Sequence, residues 1–339
     1  MKLTALRSGV LVAALNSVAF AQTTIRTTTT LVVVPTVVQT PSKELVFSLK
    51  ADDFVLTDNG VPQKVTLEEE SSRPLSLVFL MQTGGIARGQ FNSYANLETM
   101  LAAILGKAPN EISIVNFDSQ PEAASPFTSD VAQWRDAINH PDQGDSGAAI
   151  LDSIAFGLDL LKKEPQRNRR AILLISQEHD SGSKKQLKDI VRDLGETNTA
   201  IYSLTFSAEK TAARQAFKDP PHLNPPIAVV PGGTQGYFNL SAPLGLVIGA
   251  MRKNLSAEVA NLSGGESSSF DNRGELEADL GTLTNHIRNS YILSFYPTST
   301  EPGLHTIKVR LARHPELIVS ARSSYWASDT TTAPAETQH

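Results

Sequence analysis

Between Leu75 and Tyr296 the sequence alternates short apolar runs with longer stretches whose apolar residues recur at helical spacing. This alternation constrains the fold more than any other feature. Strands joined through helices pair in parallel, and the crossovers place helices on both faces of the sheet. The strand candidates are Leu75–Leu80, Glu111–Phe117, Ala171–Ser176, Ala200–Phe206 and Tyr291–Tyr296. Between them, Phe91 to Leu105, Asp130 to Asn139, Ala148 to Lys162, Lys184 to Leu194, Leu244 to Leu262 and Leu276 to Asn289 read as helices. Thr128-Ser129 stands as the cap of the second. The expected architecture is a three-layer α/β domain over residues 73–296, with a mostly parallel sheet and helices on both faces.

The flanks read differently. Residues 22–72 are expected to form a β-rich segment. It holds β-branched runs around Pro35, an alternation of Leu45, Phe47 and Leu49, and Phe54-Val55-Leu56 followed by the tight-turn signal Asp58-Asn59-Gly60. Residues 297–327 carry two further strand candidates, His305–Leu311 and Leu317–Arg322. The Thr/Ala/Pro-rich stretch 328–339 reads as a disordered tail. Residues 207–242 interrupt the alternation with Pro220-Pro221, Pro225-Pro226 and Pro231-Gly232-Gly233. Leaving the carboxyl end of a strand, this insertion is expected either to border the face on which open α/β sheets bind or to serve as a mobile surface spacer.

Lys2 and Arg7, the apolar run Gly9 to Phe20 and the small-x-small site Ala19-Phe20-Ala21 predict a signal peptide over residues 1–21. The mature chain is then expected in the periplasm or outside the cell, with no membrane span after cleavage. The chain has no cysteine, which excludes disulfides and thiolate metal sites. Its net charge of -5, with no long basic stripe, argues against a nucleic-acid partner.

Several blocks together resemble the acidobacterial VWFA-related family, whose members carry a von Willebrand factor A-like domain. They are Asp53-Phe54 with Asp58-Asn59-Gly60-Val61-Pro62-Gln63, Arg73-Pro74-Leu75-Ser76-Leu77, Leu262-Ser263-Gly264-Gly265, Arg288 through Tyr291 to Pro297, and Ala321-Arg322-Ser323-Ser324-Tyr325. The resemblance implies an exported bacterial protein with a metal site above the carboxyl ends of the sheet, built from three loops. The first loop would give Asp, Ser and Ser, where this chain has Met81, Thr83 and Gly85. The second would give Thr, where it has Ala148, and the third Asp, where it has Gln177. A hard cation needs oxygen ligands with at least one carboxylate. The expectation is therefore a vestigial site with no metal and no cofactor. A rebuilt site from Asp142, Asp145, Glu178, His179 and Asp180 is the alternative that would restore metal-dependent adhesion.

Ser181 beside His179 and Asp180 does not make a hydrolase, because adjacent residues do not form a nucleophile–base–orienter chain, and no Gly-x-Ser-x-Gly elbow occurs. The expected function is non-catalytic binding of a protein partner, or scaffolding. An enzyme without a recognisable motif is the reading from a different class.

Overall fold

The computed structural model describes residues 31–68, 73–94, 97–105, 110–165, 167–212, 254–299 and 301–327. The expected signal peptide 1–21, residues 213–242 of the insertion and the tail 328–339 lie outside the described residues.

In chain order the elements are β1 (Val32–Gln39), β2 (Phe54–Asp58), β3 (Val61–Gln63), β4 (Thr66–Glu68), β5 (Leu75–Gln82), α1 (Phe91–Tyr94), α2 (Leu97–Leu105), β6 (Glu111–Phe117), β7 (Pro121–Ala123), α3 (Val131–Asn139) and α4 (Ile150–Lys162). They continue with β8 (Arg169–Gln177), α5 (Leu187–Thr197), β9 (Ala200–Phe206), α6 (Leu255–Ser263), β10 (Ser267–Ser269), α7 (Arg273–Asn289), β11 (Tyr291–Phe295), β12 (Gly303–Leu311), β13 (Ile318–Ala321) and β14 (Ser324–Ala327).

The central sheet has the order β10-β9-β8-β5-β6-β7, parallel throughout except for the β6–β7 pair. Strand alternation divides its side chains between two cores. Leu77, Phe79, Met81, Leu173 and Ile175 face α2, α3 and α7, where they meet Leu101, Trp134 and Leu280. Val78, Leu80, Ile172 and Leu174 face α4, α5 and α6, where they meet Ile154, Leu158, Ile190 and Val259. β5 is buried along its whole length, as a central strand covered on both faces must be. The three-layer α/β arrangement is as expected.

Outside this domain the expectation needs correction. Tyr291–Phe295 does not join the parallel sheet; it pairs antiparallel with β1, Val34 opposite Leu293. The two flanks are one structure. β13-β1-β11-β4 and β14-β12-β2-β3 are four-stranded sheets, each mixing strands from both ends of the chain. Between them lies a third core of Val34, Phe54, Leu56, Leu293, Phe295 and Ile307. The α/β domain is thus inserted into a β-sandwich, between β4 and β11. β13 pairs with β1 only from Thr36 onward, so Pro35 occupies a position where that side of the strand is still unpaired.

Two local expectations also change. Leu45, Phe47 and Leu49 form no strand: only an isolated Gln39–Leu45 bridge occurs there, and Phe47 is exposed. The alternation lacks a neighbouring strand to complete it. The cap of α3 is Asp130, whose side chain accepts from Ala132 N at 2.9 Å, while Thr128 Oγ1 accepts from Asp130 N. The Asp58-Asn59-Gly60 signal does form the β2–β3 hairpin, with positive φ at both Asn59 and Gly60.

Candidate functional site

The carboxyl ends of β5, β6 and β8 bring together the loops in which the sequence places a vestigial metal site. None of the five positions offers a carboxylate. Met81 is fully buried and belongs to the core with Phe79 and Leu77, so its side chain serves packing. Thr83 is buried, with its hydroxyl donating to Phe117 O at 3.3 Å. Gly85 has no side chain, adopts φ 59° and donates its N–H to Asp145 O at 2.7 Å. Ala148 is buried and bridges to Ser181 through the backbone in both directions.

Gln177 is engaged on every side. Its N–H donates to Gln82 Oε1 at 2.7 Å, its Oε1 accepts from Gln82 Nε2 at 3.1 Å, and its Nε2 donates to His179 O at 2.7 Å. Gln82 Nε2 also donates to Gly84 O at 3.0 Å. These neutral, mutually satisfied groups do not fit a hard divalent cation, which needs charged oxygen ligands free to face it.

The loops are joined by their own hydrogen bonds instead. The Gln82–Gln177 amide pair ties the first loop to the third. Asp145 ties the second to the loop after β6: its carboxylate accepts from the Ser119 hydroxyl, from Ser119 N at 3.1 Å and from Gly147 N at 2.7 Å. Asp118 returns the connection, accepting from Asp145 N at 3.0 Å. The Ser119 hydroxyl and the Gly147 N–H hold the Asp145 carboxyl below its ordinary range. Glycine lets these backbones touch. A Cβ on Gly84 would lie 2.5 Å from Asp118 Cβ and press into the Gly147 carbonyl oxygen, and one on Gly147 would lie 2.7 Å from the Ser119 backbone.

The rebuilt site is not assembled. Among the described residues no three His, Asp or Glu form a group that could hold a metal. Asp145 is committed to Ser119 and Gly147. Asp180 accepts from Leu151 N at 3.1 Å, at the start of α4, and from the Ser183 hydroxyl at 2.5 Å. Glu178 contributes its carbonyl to Leu255 N, and the His179 carbonyl receives Gln177. Asp142 lies apart, in a cleft of about 640 Å³ beside β7 and α3 that is also lined by Thr83, Asp118, Glu122 and Asp136.

Sequence reasoning missed Gln82, Asp118 and Ser119, which carry the cross-links. The available signal was a polar pair, Gln82-Thr83, closing an otherwise apolar strand. Gln90, in the 3₁₀ turn Gly85–Gln90, is a further case: its buried amide donates to the Thr211 hydroxyl at 2.7 Å. Residues 208–212 are helical, so the start of the 207–242 segment docks beside the first loop.

Residues 77–179 match the family model of the von Willebrand factor type A domain. Together with the sheet order and the two helical layers, this gives the inserted unit the fold of a von Willebrand factor A domain. Among solved structures, the chain is similar to an aerotolerance-related membrane protein from Bacteroides fragilis, at 13% identity over 62% of this chain and 98% of that one, with a TM-score of 0.41. BatB from Bacteroides thetaiotaomicron is similar at 11% identity over 62% and 99% of the two chains, with a TM-score of 0.38. The VWA domain of SpRpn10 is similar at 16% identity over 42% and 82%, with a TM-score of 0.33. No curated protein matches the sequence. No helix among the described residues is long and apolar enough to cross a membrane.

Proposed function

We propose that this chain is an exported, non-catalytic protein-binding module that uses the carboxyl-end face of its A domain without a metal ion. One observation carries the reading. The three loops that a cation would bridge are already joined by Gln82–Gln177, by the Gly85 N–H to the Asp145 carbonyl and by the Ala148–Ser181 backbone pair, and Asp118, Ser119 and Asp145 fasten the second loop to the one after β6. A surface fixed in this way is preorganised, so a partner loses little free energy to ordering it. Export rests on the amino-terminal sequence and on the family resemblance.

The test is capture from an envelope extract on the immobilised chain, in Mg²⁺ and in EDTA. The wild type is compared with a variant carrying Glu122→Lys and Asp142→Lys, two exposed positions on this face. The expected result is one protein retained by the wild type in both buffers and lost from the variant. Retention that requires Mg²⁺ would overturn the metal-free reading. Retention undiminished by the double variant would overturn the assignment of the face.

A further inference from the structure

At the opposite end of the sheet a cavity of about 490 Å³ lies between the amino ends of β5, β8 and β9 and the sandwich strands β1 and β11. Its apolar wall comes from both units: Val33, Pro35 and Ile292 from the sandwich, Leu75, Ala171 and Ala200 from the parallel sheet. Arg73, Arg169 and Arg170 line it as well, with Glu68 and Glu196. The Glu68 carboxylate is already engaged, binding Arg73 Nη1 at 3.2 Å and accepting from the Ser294 hydroxyl, whereas Glu196 is open to solvent.

Arg170 is the telling group. Its Nη2 donates to Glu164 O at 2.9 Å and its Nη1 reaches Thr197 O at 3.5 Å. Its Nε is buried with no acceptor. An unsatisfied buried donor is costly, and a charged one more so. Arg170 is half-buried; burial lowers its pKa, and the nearby Glu164 carboxylate acts in the opposite direction.

We propose that this crevice binds a small organic carboxylate with an aliphatic body, its head on the Arg170 and Arg73 guanidiniums and its tail against the apolar wall. The volume lies within the roughly 300–1,000 Å³ range of small-molecule sites, and domain junctions are a preferred place for them. A carboxylate supplies the acceptor that Arg170 Nε lacks, and guanidinium matches its geometry. A fully hydrated inorganic anion would leave the apolar wall unused. Because both units build the wall, an occupant fastens the A domain to the sandwich. The site is independent of the partner-binding face and of the reading given for it.

The test uses the full chain with octanoate, octanol and inorganic phosphate as probes, followed by calorimetry and thermal melting. Octanoate is expected to bind saturably and raise the melting temperature, and the other two are not. Arg170→Gln should weaken octanoate binding by about tenfold or more, whereas Arg313→Gln, at an exposed position remote from the cavity, should not. Should Arg170→Gln fail to fold, Arg73→Gln carries the same comparison, its side chain being 33% exposed. Absent octanoate binding, equal binding of octanol, equal binding of phosphate, or binding indifferent to the arginine variant would each overturn the proposal.

Discussion

At the scale of single residues, the site is defined by what its side chains are already bonded to. Met81 stands where the resemblance leads one to expect an aspartate, yet it is a core residue, fully buried among apolar neighbours. Restoring the acid would not restore a site. Met81→Asp is expected to cost about 3–5 kcal/mol, the penalty of an uncompensated buried charge. An unchanged midpoint in urea at neutral pH would contradict this. Gln82→Ala removes both the acceptor of Gln177 N and the donor to Gln177 Oε1. It is expected to cost about 1–3 kcal/mol and to speed amide exchange at Gln177, measured by hydrogen exchange. Asp145 adds a pH dependence. Its folded pKa lies below the ordinary 3.8, because the Ser119 hydroxyl and the Gly147 N–H favour the carboxylate. The stabilisation is present above that ordinary value and is lost as pH falls through the lower folded one. In Asp145→Asn, acid melts below pH 3.8 should show a shallower decline than in the wild type.

At the scale of elements, the strand–helix alternation was readable because it is local: each apolar run and each helical stripe lies in one short window. Glu111–Phe117 and Ala200–Phe206 match the observed strands residue for residue. The sandwich was not readable, because its partners are far apart in sequence. Phe54 pairs with Leu311 and Val34 with Leu293, and no window contains both. The motif blocks behind the family resemblance nevertheless map largely onto this sandwich. Asp58, from the first block, accepts from the Tyr325 hydroxyl of the last block at 2.8 Å and meets His305 Nδ1 at 2.8 Å. Gln63 bonds the Thr298 hydroxyl beside Pro297, and Phe54 packs edge-on against Tyr291. All three members of the Asp58–His305–Tyr325 cluster are buried. Burial and Asp58 both raise the Tyr325 phenol, so it should stay un-ionised while the sandwich holds. Tyr325→Phe leaves one Asp58 oxygen without its donor and is expected to cost about 1–3 kcal/mol, read from chemical denaturation. The candidate site was half legible. The side chains at the expected ligand positions can be read from a linear sequence, whereas cross-links such as Gln82 to Gln177 require two loops to meet.

At the scale of the whole molecule, the A domain and the sandwich are locked together through close backbone contacts. Arg322, fully buried between β13 and β14, donates to Ser324 O at 2.6 Å and to Val33 O and Asn198 Oδ1 at 3.3 Å each. Burial lowers its pKa to about 10, so it keeps its charge at neutral pH while bonded to neutral acceptors. Gly264 caps α6 at φ 86°, and a Cβ there would lie 2.6 Å from Arg322 Cβ. Gly264→Ala combines a left-handed backbone with that clash. It is expected to loosen the junction, seen as faster proteolysis between the two units, while the A-domain sheet keeps its exchange protection. Equal proteolysis rates would show that the junction does not depend on this approach.

The central claim is that the carboxyl-end loops are held by hydrogen bonds and take no divalent cation. Titration calorimetry of the full chain with Mg²⁺ and Mn²⁺ at millimolar concentration tests it most directly. The expected result is no saturable heat and no change in melting temperature. A saturable heat that disappears in Thr83→Ala would contradict the account.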